Sequence, residues 1–289
     1  MKMNLVGAGY WGSKLLESLK QFDVDATVID IRNGHTIDDI KNNDPVILAT
    51  PLWQHHAQTV ELVKRGFDVY VEKPMAETAA EIEDIASHLK SDQLIMVGHI
   101  FLHHPQLKLI EDIIKTGDVG DILHIRSERL NWGIYQTKTD PILTLATHDI
   151  SIVNHFQGPM DVINAQSWNY SKNTVPDRVW FSGTPGYDID VSWYSPVRIR
   201  RTTFLCDKGQ IVWDQDANTV TVSNHTVEDC RSKTDPAPQV HEYNYEYSPL
   251  EYQLKHWVDC ITERRAPSTG IHNALAVATV IDSLKEIRT

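Results

Sequence analysis

Cysteine is scarce: Cys206, Cys230 and Cys260 are the only three in 289 residues, with no CxxC or Cys/His spacing among them. An odd, unclustered set excludes a disulfide framework, gives no sign of a structural zinc site and fits a reducing compartment. Basic residues are also in deficit, 27 Lys+Arg against 39 Asp+Glu, a net charge of −12. A field of that sign repels phosphate polymers and anionic membranes, which argues against nucleic-acid or membrane-surface binding. Long apolar runs are missing too. The longest, around Val46 to Trp53, falls far short of the ~20 residues that span a bilayer. The run at Met3 to Val6 is too short for a signal peptide. The expectation is a soluble cytoplasmic protein, without repeats or low-complexity tracts.

The first part of the chain alternates short apolar runs with segments of helical period. Met3–Val6, Ala26–Ile29, Pro45–Ala49, Asp68–Val71 and Leu94–Val97 are rich in Val, Ile and Leu with little alternation, as doubly buried strands are. Between them, His55–Arg65 and Thr78–Lys90 read as helices, the second opened by the capping box Thr78-Ala79-Ala80-Glu81 and the first closed by Gly66. Strand–helix alternation predicts a parallel α/β Rossmann sheet. Beyond Gly120, runs such as Ile122–Leu130, Tyr187–Tyr194 and Val197–Leu205 alternate polar with apolar, which predicts an open, mainly antiparallel sheet, and Pro249–Thr262 and His272–Ile287 close the chain as helices. The expected division is a dinucleotide-binding domain over 1–118 and an α+β domain for substrate and oligomerisation over 119–289, with the C-terminal helices able to pack back on the first.

Gly7-Ala8-Gly9-Tyr10-Trp11-Gly12 is a G-x-G-x-x-G directly after a strand and opening a helix, with Asp30 at the end of the next strand. Gly7 permits the tight turn, Gly9 lets a pyrophosphate approach the backbone, and Gly12 lets helix and strand pack closely. The helix N-terminus supplies unpaired N–H groups. A carboxylate at Asp30 accepts from a ribose 2′-OH and repels a 2′-phosphate, which favours NAD over NADP; Arg32 nearby weakens that preference. Only Ile31 to Pro45 then precedes the next strand, too little for the usual helix–strand–helix. The strand of Val28 and Ile29 should therefore form the sheet edge. Lys73 follows a strand at the sheet's carboxyl end, with Pro74 fixing its backbone. A lysine there can bind a substrate hydroxyl or relay its proton.

Ala49-Thr50-Pro51 with His55, Gly66 and Glu72-Lys73-Pro74 resembles the signature of the Gfo/Idh/MocA oxidoreductases. Segments including Gly98 to Pro105, Arg129 to Gly133, His148 to Ser151 and Lys208 to Asp214 extend the resemblance over nearly the whole chain. The resemblance implies NAD(P)-dependent oxidation of sugars or related polyols, closest to the branch acting on nucleotide-linked sugars at the 3-position. It implies Lys73 and His148 as catalytic residues. Tyr10, Trp11, Thr50, Pro51, His55, Glu72 and Lys73 join the glycines and Asp30 as cofactor contacts, and His103, Arg129, Asn131, Thr144 and His148 are expected to face substrate. Thr144 departs from the family, which usually carries Asp four residues before its histidine; threonine offers only a neutral hydroxyl. No metal is expected, since the adjacent pairs His55-His56 and His103-His104 diverge on any regular element. The second domain's sheet is expected to pair with another subunit. A catalytically impaired cofactor- or sugar-binding protein and a reductase of non-sugar carbonyls remain as alternatives.

Overall fold

The computed structural model describes residues 1–133, 139–172, 174–228, 231–234, 237–243 and 245–287; Cys230 lies outside them. The chain divides into two compact units, one of residues 1–103 with 247–279, the other of residues 104–246 with 280–289.

The first unit is built on five parallel strands in the order β2-β1-β3-β4-β5: β1 (Lys2–Val6), β2 (Asp25–Ile29), β3 (Val46–Leu48), β4 (Val69–Val71) and β5 (Ile95–Val97). β3, β4 and the apolar part of β1 are buried on both faces, which is why their sequences run apolar without alternation. α1 (Tyr10–Leu19), α2 (Leu52–Arg65) and α3 (Ala79–His88) make the crossovers. The Thr78/Glu81 capping box forms as expected, and Gly66 closes α2 with φ +93°. One face of the sheet packs with Leu62, Val63, Ile82 and Ile85 of α2 and α3. The other takes Leu15 and Leu19 of α1 together with Leu250, Leu254, Trp257 and Cys260 of α6 (Pro249–Glu263).

β2 is the sheet edge, because the β2–β3 connection is too short to hold another strand. It contains two single-turn 3-10 segments, Ile31–Asn33 and Ile37–Asp39. Arg65 fastens it to the end of α2 by donating to the carbonyls of Ile37 (2.8 Å) and Ile40 (2.7 Å). Asn4, buried on β1, donates to Asn42 Oδ1 (2.8 Å) and to the Asp44 carbonyl (3.1 Å).

The second unit begins with α4 (Pro105–Thr116), followed by β6 (Ile122–Trp132), α5 (Thr147–Gln157), β7 (Asp161–Trp168), β8 (Arg178–Thr184), β9 (Tyr187–Ser192), β10 (Tyr194–Cys206), β11 (Gly209–Asp214), β12 (Thr219–Glu228), β13 (Arg231–Thr234) and β14 (Gln239–Glu242). Their main order is β13-β12-β11-β10-β6-β9-β8-β7, with β14 also on β12. All recorded pairs are antiparallel except β6–β9. On β6, Ile125, Ser127 and Arg129 are buried and Arg126 between them is exposed, the alternation of a sheet packed on one face. The last helix, α7 (Ile271–Ile287), crosses from the first unit's residues into the second's.

Candidate active site

The glycine turn joins β1 to α1 as the sequence requires. Gly7 adopts φ +89°, and a Cβ there would lie 2.7 Å from the Ala49 carbonyl oxygen. A Cβ on Gly12 would lie 1.9 Å from the Gly7 carbonyl oxygen. Gly9 is different: among the described residues, no atom comes within 4 Å of the place a Cβ would take. It caps the N-terminus of α1 and lines a cavity of about 390 Å³ with Gly7, Tyr10, Trp11, Asp30, Thr50 and Pro51. Open space over Gly9, at a helix N-terminus whose N–H groups lack intrahelical partners, is a cradle for a diphosphate. The cavity continues past Asp30 to Arg32, His35 and Thr36. These residues fit a dinucleotide.

Asp30 does not stand free for a ribose as the sequence suggests. Its Oδ2 accepts from the Ala8 N–H (2.7 Å) and Arg32 Nη2 (2.7 Å); its Oδ1 accepts from the Arg32 N–H (2.9 Å) and Nε (2.8 Å). The Arg32 side chain, aided by the Ala8 and Arg32 amides, holds the carboxyl well below its ordinary range despite burial.

His55, a buried residue of α2, makes no described contact to the cavity; it acts as a strut. Its Nε2 lies 2.8 Å from the Thr50 carbonyl and its Nδ1 2.8 Å from the Pro74 carbonyl, tying together the loops that follow β3 and β4. Burial lowers its pKa, against the pull of both carbonyls. Thr50 Oγ1 donates to Gln58 (2.7 Å), fixing the cavity wall.

Glu72 is likewise internal. Its Oε1 accepts from Tyr70 Oη (2.9 Å) and its Oε2 from the Lys73 N–H (3.3 Å). Burial pushes its pKa up. Gln253 of α6 completes the network, its amide donating to Tyr70 Oη (3.0 Å) and accepting from the His99 (3.1 Å) and Ile100 (3.2 Å) N–H groups. Gly98 is obligatory here, since a Cβ would lie 2.8 Å from Tyr70 Oη. Lys73 is therefore set at the carboxyl end of β4 by a buried carboxylate behind its own amide, followed by a cis bond to Pro74. Gly98 opens a family-like segment, but no local rule in the sequence assigns its packing role or that of Gln253. A glutamine in an amphipathic helix reads as a surface residue until the helix is docked.

His103 turns to α6: its ring lies 4.8 Å from that of His256, and Nε2 is 3.3 Å from Thr269 Oγ1. Burial, reinforced by His256, pushes its pKa down to about 3. His99, fully buried at the end of β5, is also held at about 3 by burial and the Lys73 charge.

The other expected substrate residues lie in the second unit, on β6, on α5 and in the turn before it. Arg129 is not an open anion receptor. Buried to 4% exposure, it donates from Nε to Asp149 Oδ2 (2.9 Å) and from Nη2 to Asp149 Oδ1 (2.9 Å), while Ser127 Oγ donates to Oδ1 (2.7 Å). Asp149 is thus the missed partner that pins α5 to β6. Asn131 shares the Arg129 face of the strand by alternation and donates weakly to the Trp132 carbonyl (3.4 Å). Thr144 sits in a π-helical turn, Ile142–Ala146, with Oγ1 donating to the Asp140 carbonyl (3.1 Å). Such turns recur at functional sites. His148 is half-buried on the first turn of α5.

Among the described residues, no group of three His, Cys, Asp or Glu side chains is placed to hold a metal. No helix among them is long and apolar enough to cross a membrane.

Residues 30–99 match the model of the Gfo/Idh/MocA family, described as an oxidoreductase family with an NAD-binding Rossmann fold. The 2,7-anhydro-N-acetylneuraminate hydratase of Mediterraneibacter gnavus is 25% identical over 146 residues, 44% of this chain and 39% of that protein. The chain thus spans about two fifths of that curated relative's length. Among solved structures, the UDP-N-acetylglucosamine 3-dehydrogenase GnnA from Acidithiobacillus ferrooxidans superposes with a TM-score of 0.83 at 16% identity, covering 99% of this chain and 97% of that one. A levoglucosan dehydrogenase in complex with NADH and levoglucosan gives 0.80 at 18%, covering 99% and 96%. The parallel sheet and the glycine turn make the first unit a dinucleotide-binding α/β architecture. The chain is thus similar over residues 30–99 to the Gfo/Idh/MocA oxidoreductases, and it shares the fold of these two dehydrogenases over nearly its whole length.

Proposed function

We propose that the protein is an NAD-dependent oxidoreductase acting on a secondary hydroxyl or ketone of a sugar, at the 3-position of a nucleotide-linked sugar. The observation that carries this reading is the placement of Lys73 at the carboxyl end of a parallel strand, with its amide held by Glu72 and the following loop by His55. Ligands of open α/β sheets bind at that edge. When bound, NAD supplies the hydride acceptor. Lys73 donates a hydrogen bond to the reacting oxygen and lowers the cost of the charge that develops there. His148 takes or returns the hydroxyl proton, a role suited to an imidazole. The fold likeness to a sugar-nucleotide dehydrogenase and the family-like segments support the substrate class.

The test is Lys73→Met. NADH affinity, read by energy transfer from tryptophan, should stay within about threefold of wild type, while turnover falls by about 10²–10⁴-fold, the usual worth of a positioned acid or base. Turnover undiminished in Lys73→Met would remove the proposal.

A second reading, a binding protein with little turnover, is favoured by Thr144, whose hydroxyl is already bonded to the Asp140 carbonyl. Thr144→Asp raising a slow native turnover would support a decayed enzyme; an unchanged or lower rate would support the native threonine as competent.

A further inference from the structure

Asp30 and Arg32 form a closed pair at the ribose end of the dinucleotide cavity. All four lone-pair directions of the carboxylate are filled, three of them by Arg32 itself. The carboxylate is nearly inaccessible, while the arginine side chain is 64% exposed. Nη1 makes no part of this fork, so its two N–H groups and the second of Nη2 remain on the outer side of the guanidinium. His35 and Thr36 line the same end of the cavity, and the nearby Asp39 is turned onto the Thr36 N–H (2.8 Å) and His35 (3.6 Å).

An acidic residue at the end of the second strand excludes NADP in two ways: it repels the 2′-phosphate, and it rewards the free 2′-OH with a hydrogen bond. Arg32 cancels both. Its charge neutralises Asp30 at contact distance, and its N–H groups occupy the acceptors a ribose hydroxyl would need. What the pair presents outward is a planar cationic donor, a shape suited to a phosphate.

We infer that Arg32 is the residue that sets cofactor specificity, and that this cavity accepts a 2′-phosphorylated dinucleotide, NADP(H), alongside NAD(H). Asp30 serves to hold the glycine turn through the Ala8 amide. The inference rests on the dinucleotide reading of the cavity.

The experiment is a pair of fluorescence titrations of the full chain with NADH and with NADPH, on wild type and Arg32→Gln. Wild type should bind the two within about tenfold of each other, and added salt should weaken NADPH more than NADH. Arg32→Gln removes a charge-assisted contact, so NADPH should weaken by about 10–100-fold. NADH should hold or tighten as Asp30 opens to the ribose. Opposite responses of the two cofactors mark a specificity residue. Arg32→Gln leaves Asp30 with fewer partners, so the thermal midpoint should fall, and a retained cooperative transition confirms that the variant is folded. A wild-type preference for NADH far above tenfold, or equal weakening of both cofactors by Arg32→Gln, would overturn the inference while leaving the dinucleotide site intact. Binding of neither cofactor to wild type would overturn the site itself.

Discussion

Gly9 and Gly12 belong to one motif but answer to different constraints. Gly12 is required by the protein, its would-be Cβ meeting the Gly7 carbonyl oxygen at 1.9 Å. Among the described residues nothing crowds a side chain at Gly9, so a constraint on this position is one that a ligand would set. Gly9→Ala should leave stability within about 0.5 kcal/mol of wild type while weakening NADH by about tenfold or more; Gly12→Ala should lose both. Parallel thermal melts and NADH titrations separate the two. The Arg129–Asp149 pair is a stability element on the same logic: removing one partner strands a buried charge. Arg129→Met should therefore cost about 3–5 kcal/mol in denaturant unfolding, whereas an exposed anion receptor would show a loss of binding and little else. His99 gives a pH dependence. Its native pKa of about 3 lies below the ordinary 6.5, so the unfolded chain takes up a proton that the folded chain refuses. Its stabilising effect is complete above pH 6.5 and declines as pH falls towards 3, by about 1.4 kcal/mol per pH unit for a single site. His103 adds in the same direction, and Glu72, with a raised pKa, works against it just above pH 4.5. Chemical denaturation at a series of pH values from 7 to about 4 checks the slope, which His99→Gln should flatten.

Elements were legible where a local rule decided them. The five apolar runs of the first unit, the Thr78 capping box, the Gly66 cap and the edge position of β2 all follow from patterns within a few residues of each other. The alternating strands β6, β9 and β10 were equally readable. Other elements escaped. β8 has no polar–apolar alternation to mark it, because Val179, Trp180 and Phe181 run apolar together, and only the fold shows that Val179 and Phe181 face the core. The π-helical turn before α5 has no sequence signature at all. The site shows the same split. The glycine turn and the Lys73 strand end were visible because they are contiguous. The Asp30–Arg32 closure, the Arg129–Asp149 lock and the Gln253–Tyr70–Glu72 network were not, because each depends on a side-chain partner that only packing selects.

At the scale of the whole molecule, the second unit leaves the face of its sheet turned away from α5 laced with charge pairs, Arg126–Asp188, Arg178–Asp190 and Arg201–Asp214. Among these lie the edge-on aromatic pair Trp132–Tyr194 and exposed Leu205. Such a mixed polar and aromatic face suits pairing with a second copy of the chain. Light scattering should then give a mass of at least twice 32.9 kDa, and Trp132→Asp should shift it toward the monomer. A monomer at all concentrations would refute this.

Redox chemistry at the Lys73 strand end is tested by the formation of reduced nicotinamide by the native protein. Purified chain would be incubated with NAD and, one at a time, UDP-N-acetylhexosamines, their uronic acids, free hexoses and cyclitols, with absorbance of the reduced cofactor as readout. Steady formation is expected with at least one of these, strongest among the nucleotide-linked sugars. Saturable NADH binding with no reduction of NAD by any of them would contradict it.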